Sequence, residues 1–368
     1  MKEVREELIK IAGCFLREES ITELRAHGNG HINDTFVVTC EENGDETRWI
    51  LQKINKYVFP HPEQVMENVL AVTSFLKNKI TVQRGNPDRE TLTVLKAETG
   101  KTYYVDESGD YWRCYNFISD TICLESAETK EDFYEAAVAF GRFQSLLADY
   151  PAETLHETIA NFHNTKARFA VFQEAVARDT AKRAKSVQKE IQFILDRESV
   201  ANYFTDLLVQ GEIPLRVTHN DTKINNILMD KETRKGVCVI DLDTVMPGLA
   251  MHDFGDAVRF GASTAAEDET DLSKVSCDME LFEVYTKGFI EGCGGRLTPK
   301  EIKLLPMGAK TITLELAMRF LTDYLNGDMY FKVHREGHNL DRCRTQLKLV
   351  SDMEEKWDKM QEIVAKYM

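Results

Sequence analysis

The segment from Val217 to Thr244 restricts the fold more than any other part of the chain. It reads Val217-Thr-His219-Asn-Asp221-Thr-Lys223-Ile-Asn225-Asn226-Ile-Leu-Met-Asp230, followed by a polar turn ending at Gly236. Val237-Cys-Val-Ile240 then runs straight into Asp241-Leu-Asp243. Two apolar runs around a polar, Gly-ended turn make an antiparallel hairpin. That pairing brings Asn226 and Asp241 to the same end, beside the loop that carries His219 and Asp221. An amide oxygen and a carboxylate are hard ligands that suit Mg²⁺, an ion that keeps waters and bridges substrate phosphates. The remaining carboxylate, Asp221, can accept the proton of an attacking hydroxyl. Order, spacing and hairpin together match the phosphoryl-transfer arrangement of catalytic Asp, metal Asn and metal Asp. Turn capping by Asp221, Asn225 and Asp241 is the plainer alternative.

A second string, Asp253-Phe-Gly255, also spells a metal motif of protein kinases. Asp241 has the better placement for a metal, because it follows a strand directly. Asp253 is expected on the backbone of the 219–226 loop, a structural role, and Asp243 beside the metal ligands.

The first ~115 residues are strand-like. Thr35–Thr39 and Arg48–Lys53 flank a polar Asn43-Gly44 turn, the pattern of a β-hairpin. Val65, Val69, Val72 and Leu76 have helical spacing. Leu92–Leu95, Lys101–Val105 and Tyr111–Ile118 read as further strands. Gly28 and Gly30 lie between two strand-like pieces, where glycines let a turn approach phosphates closely. An ordinary hairpin turn explains that pair equally well, and no GxxxxGK[ST] loop occurs. The next strand should supply a cation for the nucleotide phosphates. Lys53 is the candidate, but a one-residue change of register would turn Gln52 inward instead. Tyr115 and Phe117, at the joint with the next segment, are placed to contact a nucleobase.

After Ser119 the periodicity becomes helical: 131–147, 165–180, 186–210, 279–288, 299–326 and 339–368. The expected fold class is α+β and bilobal, protein-kinase-like. Residues 1–118 form the small β-rich lobe and 119–368 the larger helical lobe.

Composition narrows the function classes. A net charge of -15 argues against nucleic acid as a partner. No apolar run approaches the ~20 residues of a membrane span. The amphipathic start, with Lys2, Arg5 and Lys10 among apolar residues, is unlike a signal peptide. The eight cysteines include no close CxxC pair, so reduced thiols and a cytoplasmic location are expected.

The HxDxxxxN and IDxD strings after a small β lobe resemble the aminoglycoside phosphotransferase and choline kinase superfamily. Further blocks narrow the likeness: Gly28-Asn-Gly-His-Ile-Asn33, Ile50-Leu-Gln52, Arg259-Phe-Gly-Ala262, Met318-Arg-Phe-Leu-Thr-Asp-Tyr-Leu325 and Gly327-Asp-Met-Tyr-Phe331. Together they resemble the family of bacterial N-acetylhexosamine 1-kinases over nearly the whole chain. The resemblance implies ATP- and Mg²⁺-dependent phosphorylation of the anomeric C1 hydroxyl of a small sugar, N-acetylglucosamine or N-acetylgalactosamine. It makes Asp221 the base and Asn226 and Asp241 the metal ligands. Arg319 and Tyr330 would hold the sugar, with Phe260 near its acetamido group and His31 approaching from the glycine turn. From the residues alone, Arg319 could equally pair with Asp323 one helical turn on. Tyr330 and Phe260 would pass for core aromatics, and His31 for a surface turn residue.

Overall fold

The computed structural model describes residues 2–28 and 32–368. Helix α1 (Lys2–Gly13) precedes strands β1 (Ile21–Ala26), β2 (Asp34–Glu42) and β3 (Asp45–Ile54), helices α2 (Pro62–Val82) and α3 (Pro87–Glu90), and strands β4 (Tyr104–Val105) and β5 (Tyr111–Asn116). These strands form one antiparallel sheet in the order β1-β2-β3-β5-β4. The turn between β2 and β3 falls on Asn43 and Gly44, at φ 55° and 90°. These left-handed values match the twist of a two-residue hairpin turn and suit Asn and Gly.

Strand β6 (Thr121–Cys123) leaves that sheet and pairs with β8 (Ile227–Asp230), which also pairs with β9 (Gly236–Val239). Strands β7 (Arg216–Thr218) and β10 (Met246–Gly248) make a separate pair. The rest is helical: α4 (Lys130–Leu146), α5 (Thr165–Arg178), α6 (Gln188–Leu195), α7 (Glu198–Val209), α8 (Ala250–Gly261), α9 (Met279–Cys293), α10 (Pro299–Lys303), α11 (Leu305–Asn326), α12 (His338–Glu355) and α13 (Trp357–Ala365). A small antiparallel sheet lobe and a larger helical part make the bilobal, protein-kinase-like fold.

Local chemistry sets the boundaries. Thr129 caps α4 in a reciprocal box with Asp132, and Asp278 caps α9 through the backbone N–H groups of Glu280 and Leu281. The expected helix 186–210 is two helices, because Arg197 leaves helical geometry and forks onto Glu354 of α12. The expected helix 299–326 breaks at Leu304, and Pro306 sits in the first turn of α11. Leu92–Leu95 contributes only a bridge from Val94 to Tyr115, and Lys101–Val105 shortens to β4.

Helix α8 is not among the helices expected from the sequence. Its apolar residues Met251, Phe254, Ala257 and Val258 share one face and His252, Asp253, Asp256 and Arg259 the other, yet residues 250–259 are all buried, so both faces meet protein. It crosses α11 at Gly255 and Gly308: a Cβ on Gly255 would lie 2.6 Å from the Gly308 carbonyl carbon. The Asp-Phe-Gly string is thus one turn of a buried helix, with Phe254 in the core and Gly255 at the crossing.

Candidate active site

The loop 219–226 joins β7 to β8 and is braced from beneath by α8. Asp253 accepts from the backbone N–H of His219 at 2.9 Å and of Asn220 at 2.8 Å, and from Gln144 Nε2 at 2.8 Å. Thr222 Oγ1 donates to the Asp253 carbonyl at 2.6 Å, and Thr222 N–H to Asp256 Oδ2 at 3.0 Å. His219 is wholly buried, edge-on to Phe140 and Phe143. Its Nδ1 accepts from the Asp221 N–H at 3.3 Å, which leaves Nε2 to donate to the Ile240 carbonyl at 2.8 Å. This histidine therefore ties the loop to the end of β9.

Within the loop, Asn226 Nδ2 donates to the Asp221 carbonyl at 2.8 Å and to its Oδ2 at 3.2 Å. Lys223 Nζ lies 2.9 Å from the other carboxylate oxygen, Oδ1. The sequence signal for Lys223 is its spacing, two residues after Asp221. Across the β8–β9 pair, Ile240 N–H donates to the Asn226 carbonyl at 2.9 Å. The hairpin therefore does bring Asn226 and Asp241 to one end.

Asp241 sits in the left-handed region at φ 57° and ψ 57°, an uncommon place for a residue with a side chain. Burial, then the nearby Asp243 and Asp221 carboxylates, push its pKa up to about 6. A divalent cation would relieve that crowding, and the Asn226 amide oxygen accepts no other hydrogen bond among the described residues. The donor set, one amide oxygen and one carboxylate with room for waters and phosphate oxygens, fits Mg²⁺. Among the described residues no group of three or more His, Cys, Asp or Glu side chains is arranged to hold a metal.

Asp243 is engaged differently. Its Oδ2 accepts from Asn33 Nδ2 at 2.7 Å, and its Oδ1 from Arg113. Arg113, on β5, is opposite Gln52 on β3 and donates to Gln52 Oε1 from Nε at 2.9 Å. Tyr115 adds its hydroxyl to the same oxygen at 3.2 Å. The register question is thereby answered: Gln52 faces inward. Lys53 points to the opposite face, where it pairs with Asp110 and lies 6.0 Å from the Trp112 ring. The Lys53 expectation is corrected, since the hairpin register fixes Gln52 on the inner side. Arg113 carried no distinguishing sequence signal; Asn33 closes the Gly28–Asn33 block and Asp256 was expected, like Asp243, beside the metal ligands, but their partners come only from cross-strand and interlobe packing.

Gly28 has φ 72°, as a glycine turn requires. Gly30 and His31 lie outside the described residues. Phe117 stands at the junction, 6.0 Å from the His27 ring and 4.7 Å under the Arg48 guanidinium.

On α11, Arg319 does not pair with Asp323. The Asp323 carboxylate instead accepts from the backbone N–H groups of Met329, Tyr330 and Phe331 at 2.8–2.9 Å and from Asn339. The Arg319 guanidinium lies 5.4 Å from the Phe162 ring, 5.5 Å from Phe331 and 5.9 Å from Tyr330. With Arg168 it lines a cavity of about 210 Å³. Arg168 Nε is buried without a partner; burial and then Arg319 lower its pKa. His163 connects this region to the loop, with Nδ1 2.8 Å from Glu315 Oε1 and Nε2 3.3 Å from the Asn220 carbonyl. Phe260 lines a different cavity of about 400 Å³, with Lys223, Thr222 and the buried Tyr285. The structure thus brings Arg319 and Tyr330 together and places Phe260 elsewhere, on the Lys223 side of the loop.

Residues 23–274 match the family model described as "Phosphotransferase enzyme family". The chain belongs to this phosphotransferase family. Solved structures agree on the fold. An aminoglycoside phosphotransferase from Alicyclobacillus acidocaldarius subsp. acidocaldarius DSM 446 is 11% identical, with 97% of this chain and 96% of that one covered and a TM-score of 0.63. Choline kinase from Cryptosporidium parvum Iowa II is 15% identical, with 98% and 97% covered and a TM-score of 0.60. Spectinomycin phosphotransferase, in complex with ADP and spectinomycin, is 14% identical, with 98% of each covered and a TM-score of 0.55. Nothing in the phosphotransferase's described helices is long and apolar enough to cross a membrane.

Proposed function

We propose that this phosphotransferase is an ATP- and Mg²⁺-dependent kinase that phosphorylates the C1 hydroxyl of an N-acetylhexosamine, giving the sugar 1-phosphate. The observation that carries the kinase reading is the convergence of Asp221, Asn226 and Asp241 around one braced loop. Asp221, oriented by Asn226 and Lys223, accepts the hydroxyl proton as the C1 oxygen attacks the γ-phosphorus. The new O–P bond forms as the bond to the β,γ-bridging oxygen breaks, and ADP leaves with that electron pair. Lys223, held against Asp221, is placed to meet the incoming γ-phosphoryl charge. When bound by Asn226 and Asp241, Mg²⁺ would neutralise charge on the β- and γ-phosphates. Positioning and fixed charges, rather than covalent chemistry, would supply most of the rate.

The acceptor cavity supports a polyol over an ammonium compound. Among the described residues Arg168 and Arg319 have no carboxylate in ion-pair contact, and the one carboxylate lining the cavity, Asp323, is taken up by backbone N–H groups and Asn339, so the cavity disfavours choline, ethanolamine and aminoglycosides. Forked donors beside the aromatic walls of Phe162, Tyr330 and Phe331 suit a sugar ring and its hydroxyls. By the same assignment, the two lobes, 1–118 and 119–368, bind nucleotide and sugar respectively; Phe260, in the separate cavity beside Lys223, stands apart from the Arg319 and Tyr330 contacts. Intact Asp221, Asn226 and Asp241 weigh against a silent nucleotide-binding regulator.

The test is phosphorus NMR of products after incubation with ATP, Mg²⁺ and a panel of N-acetylglucosamine, N-acetylgalactosamine, glucose, galactose, choline and homoserine. A C1 phosphate on an N-acetylhexosamine, lost by ~10²–10⁴-fold in Asp221→Asn, is expected. Turnover on choline or homoserine alone would remove the sugar assignment and leave the fold untouched.

A further inference from the structure

We infer that the small lobe grips the nucleotide phosphates with a neutral amide, Gln52, and that the buried Arg113 is the positioning residue that aims it. This rests on the ATP-kinase reading of the site.

The starting point is the inner face of the sheet. β3 and β5 pair so that Gln52 stands opposite Arg113 and Ile50 opposite Tyr115. Alternation puts Gln52, Arg113 and Tyr115 on one face and Lys53 on the other. Arg113 is the one buried cation on this sheet among the described residues. Arg48 shares its face but lies toward the junction, over Phe117 and open to solvent.

Donor chemistry then fixes the amide. Arginine has donors only, so the Gln52 atom facing Arg113 must be the carbonyl oxygen. Three donors converge on it: Arg113 Nε at 2.9 Å, Arg113 NH2 at 2.5 Å and the Tyr115 hydroxyl at 3.2 Å. The amide nitrogen is thereby turned away, toward β2, where one proton goes to Thr35 Oγ1 at 2.9 Å. Thr35 is the second residue of β2. The second proton of Gln52 Nε2 has no partner among the described residues. It is a preoriented donor.

Arg113 does not reach out itself. Its side chain is 4% exposed and its remaining hydrogen bond goes to Asp243. Its charge nevertheless lies one layer behind the amide, between the sheet and the crowded Asp241 and Asp243 carboxylates. Charge held in a low-dielectric setting acts over that distance far more strongly than in water. The arrangement divides the task between a neutral donor that touches phosphate and a cation that holds the donor.

The experiment is calorimetric titration of the full chain with adenosine and with ADP, both without Mg²⁺, alongside melting temperatures. Gln52→Leu keeps the shape and removes the donor. ADP affinity should fall about tenfold or more, the range of one hydrogen bond to a charged group, while adenosine affinity stays unchanged. Arg113→Lys keeps the charge and loses the fork, and should weaken ADP in the same selective way, with KM for ATP rising and KM for the acceptor unmoved. An unchanged ratio of adenosine to ADP affinity in both Gln52→Leu and Arg113→Lys would overturn the inference while leaving the kinase reading intact. If the unsubstituted protein binds neither ligand, both fall together.

Discussion

Asp253→Asn separates the two aspartates that compete, on sequence, for the metal. The Asp253 carboxylate carries three N–H donors: Oδ2 takes His219 N–H and Gln144 Nε2, and Oδ1 takes Asn220 N–H. An asparagine has one acceptor oxygen and one donor nitrogen. Its best orientation keeps the oxygen at the Oδ2 position and sets the NH₂ against the Asn220 N–H. One charge-assisted bond is lost and a buried donor is left unpaired, which costs about 2–4 kcal/mol. With 368 residues, an unfolding entropy of about 2.1 cal/mol/K per residue gives about 0.8 kcal/mol/K. The expected fall in Tm is therefore about 3–5 °C, read by scanning calorimetry. Because the loop shifts, kcat should drop by about 10²-fold. Mg²⁺-dependent strengthening of ATP binding, measured by titration with and without the metal, should survive. In Asp241→Asn the pattern should reverse, with metal dependence lost. An Asp253→Asn protein as stable as the parent but without metal-dependent binding would refute the assignment and make Asp253 the ligand.

Three other outcomes follow from the same geometry. Gly255→Ala should lower stability by about 1–3 kcal/mol, because backbone of α11 occupies the space a Cβ needs; an unchanged Tm would show that the helices can separate there. His163 is raised in pKa because its contact with Glu315 outweighs the opposing effect of burial. Its stabilising contribution is thus complete below about pH 6.5 and lost as pH rises through the folded value. The difference in Tm between the parent and His163→Gln should therefore shrink from pH 6 to pH 9. Arg319→Met should raise KM for the acceptor by about tenfold or more and leave ATP affinity alone; equal effects on both substrates would place Arg319 outside the acceptor site.

The convergence of the candidate site's residues was legible in the sequence because its parts are local. Asp221, Asn226 and Asp241 lie within one loop and one hairpin, and pairing two short strands is enough to bring them together. The Asn43-Gly44 hairpin was legible for the same reason, as turn chemistry and alternation are nearest-neighbour properties. The rest depended on contacts that alternation and spacing do not encode. Which of Gln52 and Lys53 faces inward is a matter of register, and register is set when β3 docks between β2 and β5. Arg113 looks like any strand arginine until that docking sets it between Gln52 and Asp243. Helix α8 has apolar residues at helical spacing, but its polar face is buried too, and only its packing against α11 and beneath the 219–226 loop shows what that face holds. Arg319 had two equal readings until Asp323 was found holding the backbone at 329–331. The sequence by itself determined which side chains the loop and hairpin bring together; the tertiary structure decided which charges stand behind them, because burial and partners over long sequence separations belong to the folded chain alone.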